Sequence, residues 1–113
     1  MVITEFIREL LAQLDDDLLQ YAFVLQLARD CGVADGCDSI TELVYNAVTT
    51  LLENRLAEIG DARLKDNKVE FCPWVGSLAQ QKWRLRREID CFGTNPSLGD
   101  GFWLARRLPT KMN

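Results

Sequence analysis

Apolar residues recur at Ile3, Phe6, Ile7, Leu10, Leu11 and Leu14. This is the i, i+3, i+4, i+7 stripe of an amphipathic helix, and it predicts one over 2–14. The run Asp15-Asp16-Asp17 interrupts the stripe. One of these aspartates can cap a second helix over about 16–31, and the others suit the positive end of its dipole. That second segment is apolar almost all round (Leu18, Leu19, Tyr21, Ala22, Phe23, Val24, Leu25, Leu27, Ala28), which predicts the most buried element. Gly32 is placed to end it. Ser39 followed by Glu42 is a capping-box pair, so a third helix starts near 40. Its stripe is Ile40, Leu43, Val44, Ala47, Val48, Leu51 and Leu52.

The period changes after Arg55. Leu56-Ala57-Glu58-Ile59 and Lys68-Val69-Glu70-Phe71-Cys72 read as two strands, joined by the polar, turn-prone stretch Arg63–Asn67. Pro73 closes this β-hairpin, or wing. Pro73–Gly76 reads as a linker, and Ser77 can cap a fourth helix to about 92, with Leu78, Leu85, Ile89 and Phe92 on its apolar side and Trp83 beside it. Residues 93–101 are loop, and Phe102–Ala105 is a final strand. The expected class is therefore α+β in a single domain spanning 1–113. Three N-terminal helices, a hairpin, a fourth helix and a short last strand follow one another, and the first five elements have the order of a winged helix.

Composition narrows the class. The apolar fraction of 48% supplies a core for 113 residues. The start of the chain carries Glu5, Arg8 and Glu9 where a secretory signal needs an unbroken apolar run, and no stretch is apolar enough to span a membrane. A cytoplasmic protein without a membrane partner is expected. The four cysteines, Cys31, Cys37, Cys72 and Cys91, are then expected as reduced thiols. They form no CxxC pair, and the chain has no histidine, so neither a zinc site nor any other cofactor is expected. Cys72 and Cys91 read as packing residues. The absence of histidine also removes the usual acid–base group of enzymes, and no enzyme activity is expected.

The formal net charge of −4 hides a split. Residues 1–61 hold twelve acidic and three basic side chains, a balance of −9. Residues 62–113 hold five acidic and ten basic ones, a balance of +5. Two faces that neutralise each other across the fold would explain this, and so would an acidic face that meets a cationic partner. The split disfavours nucleic acid as the partner. A recognition helix over 38–55 would carry Asp38, Glu42 and Glu53 against one arginine, and phosphates would repel it. The basic residues lie instead on the wing (Arg63, Lys65, Lys68) and at Lys82, Arg84, Arg86 and Arg87, where they can pair with Glu88, Asp90 or the acidic half. Of the three tryptophans, Trp74 follows a proline in a linker and is the one expected to be exposed, as an interface anchor.

From Leu51 to Arg107 the chain carries LLENRLAEIGDARL, then FCPW before a capped helix, then GTNPSLGDGFWLARR. This pattern resembles the winged-helix-type immunity proteins of bacterial contact-dependent growth inhibition systems. The resemblance implies cytosolic residence and neutralisation of a cognate toxin domain by tight, specific binding, and many such toxins are nucleases. A nuclease domain tends to be cationic, so an acidic inhibitor can be steered onto it. The expected contact residues are Asp15, Asp16, Asp17, Asp30, Asp35, Asp38, Glu42 and Trp74. The alternative is a winged-helix transcription regulator that binds DNA through its third helix or wing.

Overall fold

The computed structural model describes residues 2–31 and 38–107, and these form four helices and a four-stranded antiparallel sheet. The first helix, α1 (Val2–Leu14), buries Phe6, Leu10 and Leu14 along one stripe and turns Glu5, Arg8, Glu9 and Gln13 outward. The expected second helix does not begin in the aspartate run. Leu19–Gln20 instead form a short strand, β1, and α2 spans Tyr21–Asp30. No aspartate caps α2. Its N-cap is Gln20, with no side-chain cap, and Asp17 accepts a hydrogen bond from the Leu18 amide at 2.7 Å. The physical reason lies far away in sequence. Leu19 and Gln20 pair with Leu104 and Trp103, and the Tyr21 amide donates to the Phe102 carbonyl, so strand partners outweigh local helix preference.

The helix α3 (Asp38–Glu53), not α2, is the central helix. It buries Ile40, Val44, Ala47, Val48, Leu51 and Leu52 and packs against α1, α2 and α4 as well as the sheet. By contrast, α2 leaves Phe23 48% exposed. The stop assigned to Gly32 and the cap assigned to Ser39 lie outside the described residues and side chains. At its other end α3 closes through Arg55 in the left-handed region (φ 57°), with the Leu56 amide donating to the Leu51 carbonyl and the Arg55 amide to that of Leu52. This is the Schellman arrangement.

The hairpin is present, with a tighter turn than the polar stretch suggested. Strands β2 (Ala57–Lys65) and β3 (Lys68–Pro73) pair in register from Gly60↔Pro73 to Lys65↔Lys68. Only Asp66 and Asn67 connect them, both at positive φ, as a two-residue type I′ turn requires. Helix α4 (Leu78–Phe92) starts at the expected Ser77, whose side chain accepts from the Gln80 amide while the Gln80 side chain accepts from the Ser77 amide. The last strand, β4 (Trp103–Arg106), lies inside the sheet, in the order β1-β4-β2-β3.

One buried group ties α2 to the loop after α4. Tyr21 is fully buried, its ring packs on Phe102 at 4.9 Å between centroids, and its hydroxyl donates to the Gly93 carbonyl at 2.6 Å. Nearby, Arg29 donates to the Thr94 carbonyl at 2.6 Å. Burial pushes the Tyr21 hydroxyl up to about 12, against the opposing pull of the Arg29 charge. A tyrosine that stays protonated in the fold but ionises near 10 when unfolded makes the unfolded state bind fewer protons above that pH. Stability is then unaffected below about pH 10 and falls between about 10 and 12, by about 2 kcal/mol. Urea unfolding checks this. Tyr21→Phe should be weaker than wild type by about 1 kcal/mol near neutrality, where the hydrogen bond is lost, should match it near pH 11, and should be the more stable of the two as pH approaches about 12.

Candidate interaction surfaces

Among the described residues, five of the nine cations after residue 61 are engaged by carboxylates within the fold. Lys82 meets Glu53 at 2.9 Å, Arg86 holds Glu42 through both nitrogens at 2.8 and 3.4 Å, and Arg84 meets Asp61 at 3.1 Å. Each of these joins α4 to a carboxylate of residues 1–61, so the two charge halves neutralise one another across this seam. Aromatic rings reinforce it. The Arg86 guanidinium lies 4.0 Å over the Tyr45 ring, and Arg84 lies 4.0 Å over Trp74. Arg106 reaches Asp15 at 3.4 Å, and Arg63 meets Glu70 across the hairpin. These pairs are part-exposed and individually weak.

The expected contact residues are not brought together as one face. Asp15, Asp16 and Asp17 sit at the C-terminal end of α1, and Asp15 is engaged by Arg106. Glu42 is locked to Arg86 on the α3–α4 seam. Asp35 and the side chain of Asp38 lie outside the described residues. Asp30 is different. It lines a cleft between α1 and α2 with Glu5, Arg8, Glu9, Leu27 and Cys31. There Glu5, Glu9 and Asp30 all act on the Cys31 thiol, which burial first and then these carboxylates push above its ordinary value. Among the described residues none of the three carboxylates is in an ion pair. Asp30 only accepts a hydrogen bond from Gln26 at 3.0 Å. Glu5 and Glu9 were missed in the sequence, although their i, i+4 spacing on the outer side of the first stripe marks them as neighbours.

Trp74 is not an exposed anchor. It is 5% exposed, its amide donates to Ile59 so that it continues the sheet, and its indole Nε1 is buried without a partner. The exposed tryptophan is Trp83, at 63%, with Arg87 stacked 4.8 Å over its ring one turn along α4. With Arg84, Glu88 and Cys91 these two line a shallow cleft of about 280 Å³. Burial raises the Glu88 carboxyl above the usual range there, against the lowering effect of Arg84. Cys91, expected as a packing residue, is exposed. Cys31, Cys72 and Cys91 are unpaired thiols, and Cys37 lies outside the described residues.

The sheet offers a further surface. Antiparallel partners share a face, so Gly60 with Pro73 and Trp103, Ala62 with Phe71, and Leu64 with Val69 all point the same way. Ala57, Ile59 and Leu104 point the opposite way, into the core. Beyond Gly60 the usual alternation is therefore inverted. Asp61, Arg63, Lys65, Lys68 and Glu70 continue the core side, while the apolar residues face away from the helices, Leu64 at 72% and Val69 at 55% exposure.

Among the described residues no group of three or more acidic, cysteine or histidine side chains converges as a metal site, and no helix is long and apolar enough to cross a membrane. Comparisons of the chain with family models, with curated proteins and with solved structures find no match.

Proposed function

We propose that this chain is an immunity protein that binds and neutralises a cognate bacterial toxin domain, cationic and of the nuclease type, in the cytoplasm. The observation that carries the reading is the charge left over after internal pairing. Lys82, Arg84 and Arg86 are engaged with Glu53, Asp61 and Glu42, whereas Glu5, Glu9 and Asp30 gather on the α1–α2 side, where Arg8 is the one cation lining the cleft among the described residues. A residual anionic patch beside low-dielectric walls steers a cationic domain toward it and disfavours nucleic acid. The resemblance of Leu51–Arg107 to immunity proteins of contact-dependent growth inhibition systems supports the same reading. Within it the fold is winged-helix-like, with Ala57–Pro73 as the wing and β4 as an addition between β1 and the hairpin. The third helix of such a fold is here the packed centre of the core, and the exposed charges among its described side chains are Glu42 and Glu53, which does not favour a DNA-reading role.

The test is co-expression with the toxic domain encoded beside this gene. Growth should be restored by wild type. Purified Glu5→Lys/Glu9→Lys/Asp30→Lys should bind that domain at least about 30-fold more weakly, about 2 kcal/mol, the scale of an interface hot spot. Failure to rescue growth, together with salt-sensitive retention of DNA by the purified protein, would replace this reading with the regulator.

A further inference from the structure

The outward face of the sheet has no role in charge-steered capture of a cationic domain. Its side chains include Ala62, Leu64, Val69, Phe71, Trp103 and Ala105, and Glu58 is the one ionisable group among the paired residues of that face. Val75, two residues beyond Pro73, is 98% exposed. An antiparallel sheet with one solvated face normally turns polar residues toward water. Here the sequence does the reverse over the whole arm, so the inversion is systematic and not one stray leucine. Leu64, Val69 and Val75 with their partly buried neighbours uncover on the order of 500 Å² of apolar surface, the size of the largest and often functional patch on a monomer.

We infer that this face is the interface of a homodimer, in which two copies pack their sheets face to face. Two considerations select a second copy over a different protein. The face is almost uncharged, so it offers nothing to steer a cationic domain, whereas an apolar face is complementary to itself under a two-fold axis. The area also fits. Two such faces remove about 1,000 Å² together, the lower limit for a specific interface. A two-fold axis perpendicular to the strands through the Ala62–Phe71 pair sends the two Glu58 carboxylates to opposite ends, so like charges do not meet. Leu64 and Val69 of each copy then pack over Gly60, Pro73 and Trp103 of the other, across sheets about 10 Å apart. The helices lie on the other side of each sheet, so the dimer leaves both Glu5/Glu9/Asp30 patches open.

The test needs no toxin, and so stands or falls separately from the immunity reading. Sedimentation equilibrium of the full chain should give a monomer–dimer equilibrium with a dissociation constant in the micromolar range, as a small interface implies. Leu64→Glu and Val69→Glu should each weaken it at least about 30-fold, since each places a charge in the apolar centre. Both positions are solvent-exposed in the monomer, so circular dichroism of the variants should match wild type. A wild-type chain that stays monomeric at about 200 µM, well above that range, overturns the proposal. A dimer that survives both substitutions also overturns it, because the interface then lies elsewhere. Loss of toxin binding in Leu64→Glu with a monomeric wild type would give the face to the toxin instead.

Discussion

Gly60→Ala should destabilise the protein by about 3 kcal/mol, read from urea unfolding followed by circular dichroism. Gly60 lies where β2 passes between β3 and β4, paired with Pro73 on one side and Trp103 on the other. A Cβ at this position would fall on the carbonyl oxygen of Cys72 and within 2.8 Å of the Pro73 Cα. Both obstacles are backbone, so no rotamer change relieves them, and the strand itself must shift. Gly99 supplies the control. Nothing lies near a Cβ there, and only its positive φ of 91° opposes a side chain. Gly99→Ala should therefore cost only about 1 kcal/mol. An effect at Gly60 no larger than that at Gly99 would mean that β2 and β3 separate readily enough to admit the methyl group.

Phe102→Ala should cost about 4 kcal/mol, the middle of the range for a buried aromatic. Phe102 is fully buried, packs against the Tyr21 ring, and its carbonyl accepts from the Tyr21 amide. The substitution leaves the backbone bond in place but opens a cavity between α2 and the sheet. Thermal melts should show one cooperative transition at a lower midpoint. Loss of cooperativity, with α1–α3 melting separately from the sheet, would show instead that Phe102 alone couples the two layers.

Much of this fold can be read from local signals. The 3.6-residue stripes located α1 and α3, Ser77 located the start of α4, and the change of period after Arg55 located the hairpin. The errors arise where a distant segment decides. Leu19 and Gln20 look helical because their neighbours are apolar, and they become a strand only because Trp103 and Leu104 arrive beside them. Once Leu18 and Leu19 are taken out of the second helix, its apparently all-round apolar surface shrinks and α3 becomes the centre. Trp74 looked like a linker residue because Pro73 precedes it, yet its amide completes the ladder to Ile59. The exposed tryptophan was legible: Trp83 is two residues, about 200° of helix, from Leu85 and so lies away from the buried stripe. Charge separation along the chain showed that the halves could meet, but not that Glu42, Glu53 and Asp61 would be taken by α4 while Glu5, Glu9 and Asp30 stay without an ion pair among the described residues. The inverted alternation of the arm is also visible in Arg63-Leu64-Lys65 and Lys68-Val69-Glu70. Its direction becomes evident only once Ile59 is known to point into the core.

The placement of β4 bears on how the protein is made. A chain leaves the ribosome N-terminus first, so Leu19–Gln20 and the hairpin emerge well before Trp103–Arg106, the segment that must lie between them. Until then β1 has no neighbour, Tyr21 lacks its Phe102 partner, and the inner edge of β2 is open. Such open edges invite pairing with other chains. A nascent chain stalled before residue 103 therefore carries the helices and the hairpin but cannot close the sheet. Contacts that reach from β1 to β4 close only after Trp103–Arg106 has left the ribosome, more than eighty residues behind β1, which makes the closing of this sheet a late event.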